Sequence, residues 1–153
     1  MKPEHEKISR ELEEVMQAEI PMAKAMGIGV KSYDGTTLKL CAPLEPNINH
    51  KKTAFGGSIY SIMVLSGWGL LWMKIKENDL QASVVITKSE TGFMKPIDGE
   101  ISAVCTVDIN EINLLIEKFS RNGRAKINLS SKIYSGETVA ATFTGTYAAL
   151  SSK

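Results

Sequence analysis

The chain has 153 residues, 43% of them apolar, and a formal net charge of +1. That length suits one compact domain with a single core. The near-cancellation of charge, with no basic tail or arginine-rich helix, gives no electrostatic case for nucleic acid. Cys41 and Cys105 lie far apart without a CxxC, and only His5 and His50 offer imidazoles, so no recognisable metal-ligand spacing can be assembled. Both cysteines read as free, buried thiols.

From Glu4 to Ile20 the apolar residues Ile8, Leu12, Val15, Met16 and Ile20 recur at three- and four-residue steps among charges, which predicts an amphipathic N-terminal helix within residues 1–20. Pro21 ends it, and a short turn through Met22 to Met26 stops at Gly27, a C-terminal glycine cap. This segment has no apolar signal region, so the cytoplasm is the expected compartment. Ile28 to Tyr33 and Thr36 to Ala42 read as strands joined by Asp34-Gly35, a dipeptide whose residues can both take positive φ in a tight hairpin.

Pro43 to Lys52 is a polar loop that contains Asn47, Asn49 and His50, and it runs into Thr53-Ala54-Phe55-Gly56-Gly57 and a central helix over 56–76. No charge occurs from Thr53 to Met73. A helix apolar on every face must be surrounded by protein or lipid, and this run meets the length criterion of about 18 residues for a span. Ser58, Ser61, Ser66 and four glycines dilute it, however, and its surroundings alternate like soluble β-sheet, so no membrane is expected.

Ala82 to Met94 and Glu100 to Asp108 then read as a second hairpin about Pro96-Ile97-Asp98-Gly99, with Ile101, Ala103, Cys105 and Val107 alternating against polar neighbours. Glu111 to Phe119 is either a short helix or a bulged connection. Arg124 to Tyr134 and Thr138 to Leu150 are the last two strands, about a Ser135-Gly136 turn. The expected architecture is α+β: one domain over 1–153, with a curved antiparallel sheet wrapped around the long central helix. About six strands cannot cover every side of that helix, so the N-terminal helix or a second copy of the chain must help.

In this order, Ile20-Pro21 before Met26-Gly27, Asn49 with Thr53-Ala54-Phe55-Gly56-Gly57, Gly92-Phe93-Met94-Lys95-Pro96 with Gly99, and Thr144-Gly145-Thr146-Tyr147-Ala148 resemble the hotdog fold over nearly the whole chain. Asn47-Ile48-Asn49, Thr53 to Ser58 and Leu65 to Trp72 are similar to the thioesterase-like hotdog family that also forms the C-terminal half of YiiD-type proteins. The resemblance implies homodimers or tetramers with active sites at the interface, no bound cofactor, and acyl thioesters carried on the phosphopantetheine of coenzyme A or acyl carrier protein. Some relatives are described only as thioesterases. Others decarboxylate malonyl-acyl carrier protein to supply acetyl starters for fatty acid synthesis.

Hotdog thioesterases of the phenylacetyl-CoA type carry Asn, then His-Gly-Gly, then an acid nine residues beyond the histidine. The resemblance puts these on Asn49, Phe55 and Val64, so histidine and acid are both replaced. Hydrolysis needs a base or a carboxylate nucleophile, which His50, Glu90 or a partner subunit would have to supply. Decarboxylation of a malonyl thioester instead needs donors aimed at an enolate oxygen and a poorly solvating wall. The expected catalytic set is therefore the Asn49 amide with the N–H groups of Gly56 and Gly57, at the positive end of the helix. Asn47, His50, Thr53, Phe55, Ser58 and Val64 form the expected substrate-binding set, with Phe55 and Val64 as the wall.

Other readings of these residues stay open. Asparagines ahead of a helix also serve as caps or turns, a Gly-Gly pair also permits close backbone packing, and Trp68 and Trp72 also suit core or dimer packing. Ser58, Ser61 and Ser66 have no identifiable histidine–acid partners. Lys51, Lys52, Lys74, Lys76, Arg121 and Arg124 could receive an acidic carrier or coenzyme A phosphates, or could be ordinary solvated charge. The further alternative is a non-catalytic acyl-thioester binding module.

Overall fold

The computed structural model describes residues 1–151, and residues 152 and 153 of the expected domain lie outside the described residues. Helix α1 (Pro3–Glu19) starts on a proline in its first turn and buries Ile8, Leu12 and Met16, the stripe its periodicity predicts. Pro21 ends α1 and also opens α2 (Pro21–Met26), which closes on Gly27 in the left-handed region at φ 73°. Strands β1 (Gly29–Tyr33) and β2 (Thr37–Ala42) form the first hairpin. At its turn only Gly35 has positive φ. Asp34 instead accepts from the Thr36 and Thr37 N–H groups through its carboxylate, at 2.9 and 2.7 Å, an Asx-type turn.

Helix α3 (Gly56–Glu77) crosses the concave side of a six-stranded antiparallel sheet. An 18-residue window of it has a mean hydropathy of 1.3, enough for a span, but 67% of that window is buried inside the fold. The sheet covers one side, and α1 covers another. A Cβ on Gly69 would meet Leu12 and Leu38 at 3.0 and 3.1 Å, and one on Gly67 would meet the Tyr147 hydroxyl at 2.4 Å. At these two glycines neighbouring elements come too close to the helix for a side chain to fit without displacing them.

The strand order β1-β2-β4-β5-β6-β3 corrects the expected second hairpin. Strand β3 (Ala82–Phe93) pairs with β6 (Thr138–Ser151), whereas β4 (Ile101–Thr106) lies between β2 and β5 (Arg124–Ser135). The 12-residue β3 runs along nearly the whole of the 14-residue β6, and the six-residue β4 pairs with the six-residue β2 along its full length. Pro96-Ile97-Asp98-Gly99, which read as a turn, lies in a crossover over residues 94–100. Met94 and Lys95 donate N–H bonds to Ala140 O, Ile97 is buried, and Ile97 O accepts from Ala54 N at 2.8 Å.

The ambiguous segment after β4 is a full helix, α4 (Ile109–Asn122). Asp108 caps its start by accepting from Asn110 N, Gly123 closes it at φ 73°, and Ile112, Leu115 and Phe119 are buried. Strands β5 and β6 form the final hairpin as expected. Cys105 is buried as expected, but Cys41 is only partly so, since it points from β2 toward the convex side of the sheet.

Candidate active site

The segment between the short 3-10 turn at Glu45–Asn47 and α3 sets the position of the helix start. Asn47 is 2% exposed, and its Nδ2 donates to Met26 O at 2.9 Å and Pro43 O at 2.7 Å. Its backbone O accepts from Phe55 N at 2.7 Å. The amide thus ties the loop to α2 with both its donors in use, while Asn47 Oδ1 is buried with no partner among the described residues.

Asn49 closes the next turn. Its Oδ1 accepts from Lys51 N at 2.8 Å and Thr53 N at 3.2 Å, and its Nδ2 donates to Thr53 Oγ1 at 3.0 Å and Ala54 O at 3.3 Å. These bonds hold Lys52 at φ 67°, a left-handed conformation costly for a residue with a Cβ. Asn49 is thus a clamp first, and only its longer bond to Ala54 O is a weak one.

The clamp delivers Phe55 to the N-cap position of α3, with extended backbone at φ −66° and ψ 133° and no side-chain acceptor. The first intrahelical bond runs from Ile59 N to Phe55 O. The N–H groups of Gly56, Gly57 and Ser58 therefore find no acceptor among the described residues, at the end of the helix that carries partial positive charge. The Phe55 ring lies over Gly57, where a Cβ would meet its Cε2 at 2.4 Å, and Phe93 flanks Gly56, with Cε1 3.8 Å from a Cβ built there. Phe55, Phe93 and Met94 are 55%, 57% and 52% exposed. Free amide donors set within an apolar rim suit an oxygen that gains negative charge away from water.

Residues 9–151 match the family model described as "Putative thioesterase (yiiD_Cterm)". The chain belongs to this family. It is 36% identical to a protein of unknown function from Chlorobaculum tepidum TLS, with 96% of each chain covered and a TM-score of 0.93. It is 25% identical to a "putative thioesterase" from Shewanella oneidensis, with 95% of this chain and 98% of that one covered and a TM-score of 0.83. A "probable thioesterase" from Pseudomonas aeruginosa, 17% identical over 94% of this chain and 95% of its own, shares the fold with a TM-score of 0.81. The protein is a thioesterase-like hotdog protein.

The other expected residues of this YiiD_C-type site fall in different places. Thr53 is half-buried inside the Asn49 clamp. Ser58 is buried at 8% exposure. Val64 is half-buried two turns into α3, and its carbonyl accepts from the Tyr147 hydroxyl at 2.7 Å. His50 is exposed on the loop, and Glu90 is exposed on the convex side of β3. Of the basic candidates, Lys51 and Lys52 stand exposed beside the helix start. Lys74 does not, because it is 5% exposed and paired with Glu77 at 3.1 Å. Lys76 pairs with Glu11, and Arg121 with Glu117.

Two features of the site were not foreseen. The Tyr60 hydroxyl lies 2.9 Å from Ser89 Oγ, which joins α3 to the inner face of β3. Thr91 Oγ1 on the same strand is buried with no hydrogen-bond partner among the described residues. The only sequence signal for Tyr60 was its spacing of four residues from Gly56, which puts both on one helix face.

Proposed function

We propose that this thioesterase-like protein decarboxylates a short malonyl thioester, carried on acyl carrier protein or coenzyme A, to the acetyl form. The observation that carries the reading is the uncapped start of α3, where Gly56 and Gly57 offer N–H groups beneath the exposed Phe55 ring. Loss of carbon dioxide requires neither nucleophile nor base. It requires that the thioester oxygen be held as it becomes an enolate oxygen, and that water be kept from the departing carboxylate. The Gly56 and Gly57 amides do the first, and Phe55 with Phe93 does the second, while Val64, about 12 Å farther along the helix axis, would wall the acyl group only from a partner subunit. Asn49 holds the loop in place and can exchange its 3.3 Å bond to Ala54 O for the substrate carbonyl.

The working unit in this reading is a homodimer or a tetramer built from it. Strand β1 has an occupied outer edge, since Val30 N donates to Glu13 Oε2 at 2.9 Å and Gln17 donates to Ile28 O. Strand β3 pairs with no strand but β6 among the described residues, and its other edge takes a side-chain bond from Trp68 Nε1 to Val84 O at 3.1 Å but no strand, so it remains open to one. Beside it the partly exposed stripe of Tyr60, Val64, Trp68 and Trp72 runs along α3. An open edge next to an apolar stripe is what a second copy would cover.

Hydrolysis is the second reading, favoured by the family's description as thioesterases. It needs a base, and His50 and Glu90 are exposed and lie off the helix. Mass spectrometry of malonyl-, acetyl- and longer acyl-carrier proteins incubated with the purified protein separates the readings. Loss of carbon dioxide from the malonyl form supports decarboxylation, free carrier thiol means hydrolysis, and no change in any substrate means a binding module.

A further inference from the structure

An enolate left by decarboxylation needs a proton at its α-carbon, and the residues so far assigned supply none. Tyr60 stands one turn beyond Gly56, about 6 Å along the helix axis and on the same face. Its ring packs edge-on against Phe143 at 6.0 Å, and the residue is 37% exposed. On the facing strand, Phe93 lies beside Gly56 and Ser89 beside the Tyr60 hydroxyl. Thr91 comes between them in sequence and pairs with the buried Phe143, so it shares their inward face. Its buried hydroxyl has no partner among the described residues. Tyr60 and Ser89 share a single hydrogen bond in which either can donate. If Ser89 donates, the phenol O–H stays free to point along the helix toward the first turn.

We propose that Tyr60 is the proton donor to the enolate and that Ser89 is the positioning residue that holds its ring and returns a proton from solvent. This rests on the decarboxylation reading. The bond between the malonyl α-carbon and its carboxylate breaks, carbon dioxide leaves, and the electron pair passes into the enolate held by the Gly56 and Gly57 amides. The α-carbon then takes the Tyr60 proton to become the acetyl methyl group. The phenolate recovers a proton from water through Ser89, so the net reaction consumes one proton. His50 and Glu90 are less suited, because His50 is exposed on the loop and Glu90 faces the opposite side of β3 from Ser89.

The test is steady-state kinetics of the dimer-competent full chain on malonyl-carrier protein, in H2O and D2O, with Tyr60→Phe and Ser89→Ala. Tyr60→Phe keeps the contact with Phe143, and its kcat should fall about a hundredfold, in the range of a lost general acid. KM and Tm should hold, and the solvent isotope effect should rise as water becomes the donor. Ser89→Ala should lose about tenfold in kcat with a changed isotope effect. If wild type loses carbon dioxide and Tyr60→Phe retains wild-type kcat, the donor assignment is wrong and the decarboxylase reading stands. A raised KM with an unchanged isotope effect would likewise reduce Tyr60 to packing. Release of carrier thiol without carbon dioxide by wild type would remove both.

Discussion

The two ends of α3 handle the same physical problem in opposite ways. At the C-terminal end, backbone groups and charges are partnered. Asn78 caps the helix and its Nδ2 donates to Lys74 O at 2.8 Å. The buried Lys74 donates to Glu77, whose other oxygen accepts from the Tyr33 hydroxyl at 2.7 Å. The His5 ring lies edge-on to Tyr33 at 5.1 Å, which brings α1 into the cluster. At the N-terminal end the cap position holds a phenylalanine, and the first-turn N–H groups are left without acceptors among the described residues. A helix that needed only stability would be capped at both ends. Polarity satisfied at one end holds the fold together, and polarity unsatisfied at the other is available to a substrate.

That contrast predicts where activity and stability separate. The largest effect is at the N-terminal end, where Asn49→Ala should lower turnover about a hundredfold, near the loss of one oxyanion donor. Full turnover with intact dimers would remove Asn49 from the site. At the C-terminal end Tyr33→Phe strips a partner from Glu77 and should cost about 1–3 kcal/mol in urea denaturation. Its turnover at a temperature where it stays folded should match wild type. A loss of turnover in the folded variant would show that the two ends are coupled.

The smallest effect is one of pH, also at the C-terminal end, because Tyr33 leads into the Asp34 turn and its hydroxyl donates to Gly35 O as well. Hydrogen bonds from the Thr36 and Thr37 N–H groups hold the Asp34 carboxyl below its ordinary value of 3.8. A depressed carboxylate adds stability above its unfolded value, and that stability is lost as pH falls through the folded value. A small decline in Tm below about pH 4 that is absent in Asp34→Asn would match. The group is exposed, so an equal decline in both proteins would assign the acid sensitivity to other residues.

Local signals made most of the fold legible. The 3.6-residue stripe of Ile8, Leu12 and Met16, the left-handed cap Gly27, and the alternation through Ile101, Ala103 and Cys105 describe interactions that the sequence neighbourhood decides. The partner of β3 was not legible. Pro96-Ile97-Asp98-Gly99 has turn chemistry, and its place in a crossover rests on non-local contacts, the pairing of β3 with β6 and the burial of Ile97 under the loop at Ala54. In the site, Asn49 and the Gly-Gly pair were visible as residues, and the local turn bonds of Asn49 match one of the readings left open for it, but the bond that ties the Asn47 amide to the carbonyl of Met26, 21 residues away, left no local pattern. Tyr60 with Ser89 was hidden for the same reason, since a contact 29 residues apart leaves no local pattern.

If the free N–H groups at the start of α3 carry the chemistry, filling them should stop it. Phe55 already has the extended backbone of a capping residue, so Phe55→Ser supplies an acceptor for the first-turn amides, while Phe55→Ala removes the ring without one. The serine variant should be more stable than the alanine variant by about 0.5–2 kcal/mol. Its rate of carbon dioxide loss from malonyl-carrier protein should fall well below that of the alanine variant, because the donors meant for the enolate are then occupied. Equal rates in the two variants, with the serine variant the more stable, would show that these N–H groups do not hold the enolate.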